Sequence, residues 1–186
     1  MILYPTRLQM LESLVAPNSV ILEVGVFRGE FAAQLYQTLA PRKLILCDPW
    51  DGPSISGDAD GNNVISVDLR AVYAKLEEVA SQNSDLVLLR GRSPEALKGL
   101  ADACLDVIYI DGCHSYEGVS ADLEEALRLV RPGGYICGHD LEMNPAKTTA
   151  HYEFGVKRAV EEFCARHGLT ISAKGMDGCV SYAIRR

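Results

Sequence analysis

Val20-Ile21-Leu22-Glu23-Val24-Gly25-Val26-Phe27-Arg28-Gly29-Glu30 sets an apolar run against two glycines four positions apart, with a helical pattern behind them. The run reads as a buried strand entering a tight turn and then a helix. Gly25 lets the main chain turn sharply and puts no side chain in a ligand's way. The helix behind it directs its free N–H groups and its positive dipole end at the same spot. Such a turn suits a cofactor bearing a carboxylate or phosphate. Taken by itself the stretch also fits an ordinary strand-to-helix turn, so the rest of the chain has to decide.

Outward from this turn, strand-like runs recur at Val20–Val24, Lys43–Cys47, Leu86–Arg90, Asp106–Ile110 and Tyr135–Gly138, each followed by a helical pattern. Alternation at this spacing implies a parallel sheet with helices on both faces. The end of the chain breaks the rhythm. Leu169–Lys174 and Cys179–Ile184 are both strand-like and only Gly175-Met176-Asp177-Gly178 separates them. They read as a hairpin, so the last strand runs antiparallel. The expected fold is a doubly wound α/β domain with a mostly parallel seven-stranded sheet and an antiparallel last strand. It spans residues 1–186 as one domain, with an N-terminal helix within residues 1–17.

Composition limits the class. The chain has 186 residues, 48% hydrophobic and 23% charged, and a net charge of −7. These values fit one globular domain with an ordinary core. No stretch approaches the ~20 apolar residues of a membrane span. The opening residues lack a signal-peptide layout. The acidic balance disfavours a nucleic-acid partner, whose phosphates call for clustered Lys and Arg. The six cysteines contain no C-x-x-C pair. They read as free thiols in a reducing cytoplasm, although Cys113-His114 and Cys137-x-His139 offer a hypothetical zinc set.

In an open α/β sheet the ligand crevice lies at the carboxyl ends of the strands. Here those ends are Glu23 to Gly29, Asp48 to Trp50, Gly91 to Ser93, Asp111 to Tyr116 and Gly138 to Asp140. Acidic residues or histidines occupy four of the five. Asp48, 25 residues beyond Glu23, suits the two hydroxyls of a ribose, and equally a strand-end turn before Pro49. Two long connections, residues 51–66 and 141–152, are expected to flank the crevice mouth as active-site loops. No G-x-G-x-x-G occurs, which argues against a nicotinamide reductase.

Together these residues resemble the class I S-adenosylmethionine-dependent methyltransferases. Glu23-x-Gly25-x-x-x-Gly29 looks like that superfamily's cofactor turn, and the closing hairpin looks like its sheet ending. The stretch from Tyr109-Ile110-Asp111-Gly112-Cys113-His114-Ser115-Tyr116-Glu117 through Pro132-Gly133-Gly134 to His139-Asp140 resembles the methyltransferase 24 family. In that family a D-G-x-H-x-Y-E segment precedes a helix, then G-G, then H-D. The resemblance covers residues 18 to 186. It implies that Glu23 and the turn from Gly25 through Phe27 to Gly29 line the methionine part of the cofactor. By the same token Asp48 holds the ribose, Arg92 and Ser93 meet the adenine edge, and Asp111 faces the methionine amine or a metal. Related enzymes often place a hydroxyl residue early in the first helix to hold the cofactor carboxylate. Here Glu30 and Phe31 stand there, which leaves main-chain N–H groups or Arg28.

Three of the four histidines, His114, His139 and His151, fall at crevice positions. A histidine near neutral pKa can take a proton from an acceptor hydroxyl, and His114, His139 and Asp140 are the catalytic candidates. The D/N-P-P-Y/F motif of amino-group methyltransferases is missing after Ile110, which tilts the acceptor toward oxygen. Asp111, His139 and Asp140 match the positions where metal-dependent relatives hold an ion, so a divalent metal, Mg²⁺ or Mn²⁺, is a second route to an activated hydroxyl. The expected activity is S-adenosylmethionine-dependent methylation of a small molecule at oxygen, by a cytoplasmic homodimer. The competing readings are a cofactor-binding protein without methyl transfer and a nucleic-acid methyltransferase.

Overall fold

The computed structural model describes residues 1–56, 65–142 and 154–186. Its main sheet has eight strands in the order β1-β9-β10-β8-β7-β2-β3-β6. In chain order these are β1 (Ile2–Tyr4), β2 (Val20–Val24), β3 (Lys43–Asp48), β6 (Leu86–Arg90), β7 (Leu105–Ile110), β8 (Val130–Glu142), β9 (Ile171–Gly175) and β10 (Val180–Arg185). β10 pairs antiparallel with both β8 and β9, while the other pairings are parallel. The antiparallel last strand is as expected, and the strand count is one higher. The extra strand is β1, three residues long and set parallel to β9. The helix expected over residues 1–17 is therefore shorter. It is α1 (Arg7–Leu14), opened by Thr6, whose side chain accepts from Gln9 N. Three residues carry too little periodicity to be read as a strand from sequence.

The helices cover both faces. α1, α2 (Glu30–Leu39) and α3 (Leu69–Gln82) pack one side, where Met10, Leu11, Phe31 and Leu35 meet Ile21, Leu44 and Leu46 of the sheet. α4 (Tyr116–Leu129) and α5 (Val156–His167) pack the other, where Val119, Leu123, Val160 and Phe163 meet Leu22, Val24, Ile108 and Ile136. β2 is buried along its whole length, as a central parallel strand covered on both faces must be. Successive side chains point to opposite faces, so Val20, Leu22 and Val24 join one core while Ile21 joins the other.

Two connections depart from expectation. After β6 there is only a 3-10 helix, Glu95–Gly99, because few residues separate β6 from β7. The segment read as a loop at residues 51–66 begins and ends in strand. β4 (Pro53–Ser56) and β5 (Ile65–Asp68) pair antiparallel in a separate two-stranded sheet. Asp68 then caps α3, accepting from Arg70 N and Ala71 N. Of the second loop, 141–152, Leu141 and Glu142 belong to β8. The remainder, with His151, lies outside the described residues. Among the described residues no helix is long and apolar enough to cross a membrane.

Strand order sets the site. From β2 the chain moves outward to β3, and the later strands β7 and β8 lie on the other side of β2. The crevice at that reversal is where open α/β sheets bind ligands.

Candidate active site

A cavity of about 610 Å³ opens at the carboxyl ends of β7, β2, β3 and β6, large enough for a nucleoside-sized ligand. Gly25, Phe27, Asp48, Arg92, Ser93 and Asp111 all line it. Glu23 and Gly29 stand elsewhere. Glu23 is buried on β2. Burial pushes its carboxyl well above the usual range, Asp111 and Asp48 add to this, and Arg7 opposes it. Its Oε2 has no hydrogen-bond partner among the described residues. Gly29 adopts φ 86° at the start of α2 and borders a hollow shared with α3 rather than the cavity.

The glycine turn is braced from β3. Asp48 Oδ2 accepts from Val26 N and Phe27 N, both at 3.0 Å. Its Oδ1 accepts from Trp50 N at 2.8 Å. The Trp50 indole donates to Phe27 O at 3.3 Å and stacks at a tilt on Tyr73, 5.2 Å away. Asp48 thus holds the turn in shape and keeps one lone pair, on Oδ1, for a ligand. Gly25 is required for a reason beyond ligand clearance. At φ 86°, a methyl group on its Cα would overlap the main-chain carbonyl of Asp111. At the first glycine the chain leaving β2 thus packs directly on the main chain leaving β7.

These bonds also narrow the choice for a carboxylate partner. Gly25 N, Val26 N, Phe27 N and Gly29 N are all committed within the protein. Arg28 is turned to Glu30. A cation close to the cavity's Asp111 is instead Arg7 of α1, 3.6 Å from Asp111 Oδ2 and 3.7 Å from Asp177 Oδ2. Its guanidinium carbon lies 4.1 Å from the centre of the Phe31 ring. Sequence patterns gave no hint of Arg7, because its partners lie 104 and 170 positions away.

Past Asp111 lies a cluster of four titratable side chains. His114 Nε2 stands 3.2 Å from Asp140 Oδ2 and 3.6 Å from Asp111 Oδ1. His139 Nδ1 stands 3.1 Å from Asp140 Oδ1 and 3.7 Å from Asp111 Oδ1. Strand ends bring them together: Asp111 follows β7, whereas His139 and Asp140 belong to β8. Asp140 holds φ 56°, a costly conformation for a residue with a side chain. Burial alone would raise Asp140, but the His139 hydrogen bond, both imidazoles and the Cys179 thiol outweigh it and hold it below its usual range. Burial would lower His114, yet Asp111 and Asp140 overcome this and raise it. Ser115 caps α4 by accepting from Gly118 N, which fixes the end of the segment carrying His114. Phe154 stacks on the His114 ring at 5.1 Å, and Gly155 N donates to His114 O.

The donor set Asp111, His139 and Asp140 lies within 4.8 Å, one imidazole nitrogen with two carboxylate oxygens, a set that fits a divalent cation. No cysteine joins it. Cys137 is buried in the core and Cys113 exposed, and neither converges with a histidine and a third ligand among the described residues, so the hypothetical zinc set does not assemble.

No curated protein sequence matches the chain. Among solved structures, fibrillarin from Aeropyrum pernix, with natively bound S-adenosyl-L-methionine, superposes with a TM-score of 0.62 at 16% identity, over 95% of this chain and 72% of that one. The O-methyltransferase NovP gives 0.66 at 20% identity, over 97% and 79%. The tRNA methyltransferase TrmK from B. subtilis gives 0.61 at 10% identity, over 97% and 65%. At these identities the likeness is one of fold, and since it takes in both an O-methyltransferase and a tRNA methyltransferase, fold alone does not choose the acceptor. Residues 22–141 match the methyltransferase 24 family, described as a methyltransferase domain. The match takes in the cofactor turn, the cavity and the whole Asp111–His114–His139–Asp140 cluster, and the chain belongs to this family of class I S-adenosylmethionine-dependent methyltransferases.

Proposed function

We propose that the chain methylates a hydroxyl group of a small molecule, with the cofactor laid across the cavity from β7 to β6. When bound, S-adenosylmethionine supplies a methyl group already activated on a sulfonium. Asp48 on β3 accepts a ribose hydroxyl with the one lone pair the turn leaves open. Arg7 meets the cofactor carboxylate, since four of the turn's main-chain donors are already bonded within the protein. Asp111 faces the ammonium.

The observation that carries the oxygen acceptor is the four-residue cluster at the methionine end. His114 Nε2 stands 3.2 and 3.6 Å from two carboxylates without closing a hydrogen bond among the described residues, and in this proposal the neutral ring carries its proton there. Nδ1 is left to take the acceptor's hydroxyl proton, as in other carboxylate–histidine pairs. Asp140 and His139 hold the ring's partners in place. Holding oxygen and methyl in line then supplies much of the rate. A small acceptor is supported by the lining of the cavity. Among the described residues its only cationic side chain is Arg92, already paired with Asp51 at 2.7 Å, which gives a phosphate backbone little to follow.

Turnover to S-adenosylhomocysteine with phenols or alcohols, set beside amines and RNA, tests this assignment. Salt-dependent methylation of RNA would replace it. The pH dependence is specific. Because its partners raise the His114 pKa, the base form fills only above the ordinary value of about 6.5. With EDTA present, kcat/KM should climb through a group above that value, and His114→Ala should remove the limb. The 4.8 Å convergence of Asp111, His139 and Asp140 favours a second reading, in which these residues hold Mg²⁺ or Mn²⁺ and the ion lowers the acceptor's pKa. Loss of all turnover in EDTA, restored by either ion and absent in Asp140→Ala, would transfer the role to them.

A further inference from the structure

Asp122 on α4 is a buried acid, 1% exposed, that the reaction above does not use. Its Oδ2 accepts from Ser93 Oγ at 3.1 Å. Its Oδ1 has no hydrogen-bond partner among the described residues. Burial raises it to about 6, and the Ser93 hydroxyl pulls the other way, so above neutral pH it is a carboxylate with no proton to give. Burying a charge against one hydroxyl is costly. A neutral residue would fill the same space more cheaply, so the carboxylate asks for a role beyond packing.

Its position suggests that role. Gly118, one helical turn earlier on α4, lines the cavity, and so does Ser93. Asp122 thus stands directly behind the cavity wall. β6 is the outermost strand of the site, and Ser93 lies just beyond it. If the ribose sits at Asp48 on β3, the neighbouring strand, the purine base reaches Ser93.

We propose that Asp122 is a positioning residue that fixes Ser93 Oγ as a hydrogen-bond acceptor, so that the site selects a purine with a 6-amino group over one with a 6-oxo group. A serine hydroxyl has one proton and two lone pairs. Asp122 takes the proton, which leaves only lone pairs toward the cavity. An exocyclic amine brings a donor to them. A 6-oxo group brings another lone pair, and the serine can answer it only by abandoning Asp122. This inference rests on the cofactor placement proposed above.

The test compares S-adenosylhomocysteine with S-inosylhomocysteine by calorimetry on the whole chain at about pH 8, where Asp122 is ionised. The wild type should prefer the adenosyl compound by at least about tenfold, the worth of one hydrogen bond and an unpaired group. In Asp122→Leu the side chain keeps the volume and takes no proton from Ser93 Oγ. That frees the hydroxyl proton for the ligand, and the preference should fall below about threefold. Ser93→Ala, which removes the acceptor, should lose the preference as well. A purely structural role would weaken both ligands alike and leave the ratio intact. A ratio unchanged in Asp122→Leu, or no preference in the wild type, overturns the proposal while the cofactor placement survives. Binding of neither ligand by the wild type overturns that placement and the proposal with it.

Discussion

Gly25→Ala should both unfold the cofactor turn and abolish cofactor binding. The added methyl group meets the Asp111 carbonyl rather than an empty cavity, and it sits on a main chain at φ 86°. β2 and β7 must separate at their carboxyl ends to admit it. Strained main chain and overpacking each cost of order 1–3 kcal/mol, so a loss of about 3 kcal/mol or more is expected. For a chain of this length each kcal/mol lowers Tm by about 2–4 °C, which puts the variant about 6–12 °C or more below wild type. Calorimetric unfolding and a binding titration on the same sample check both halves. A variant with wild-type Tm that merely fails to bind would mean that Gly25 serves ligand clearance alone.

Asp48→Ala should weaken S-adenosylhomocysteine by about 10-fold or more. The turn leaves one lone pair of the carboxylate open, and one charge-assisted hydrogen bond to a ribose hydroxyl is worth about 1.5–3 kcal/mol. The loss is compounded because Val26 N, Phe27 N and Trp50 N lose their acceptor. Asp48→Asn separates the two contributions. The amide oxygen can still accept from the turn, so Tm should move less than in Asp48→Ala while affinity still drops. Affinity unchanged in Asp48→Asn and reduced in Asp48→Ala would confine Asp48 to bracing the turn.

Much of this site was legible because it lies at strand ends that apolar runs announce. The runs over Val20–Val24 and Asp106–Ile110 place Gly25 and Asp111 on neighbouring strands, and the structure puts both against one cavity. His139 and Asp140 likewise follow an apolar run, and they meet Asp111 and His114. The residues that escaped notice act across long sequence distances. Arg7 reaches Asp111 and Asp177 only because β1 docks on β9 and carries α1 with it. Asp122 looks like one more polar residue of an amphipathic helix until its burial and its bond to Ser93 are seen. Gly29 shows the reverse: its place in the motif suggests a cofactor contact, but it serves as the left-handed start of α2. Trp50 has no periodic signal at all, yet it is fully buried and pins the turn through Phe27 O.

The most direct test of the central claim is a co-crystal structure of the whole chain with S-adenosylhomocysteine. The ligand should span the cavity, with a ribose hydroxyl on Asp48, its base against Ser93 and its carboxylate toward Arg7. Its sulfur should open toward His114, His139 and Asp140. A ligand seated in the hollow between α2 and α3, or one lying in the cavity with its ribose away from Asp48, would contradict the account.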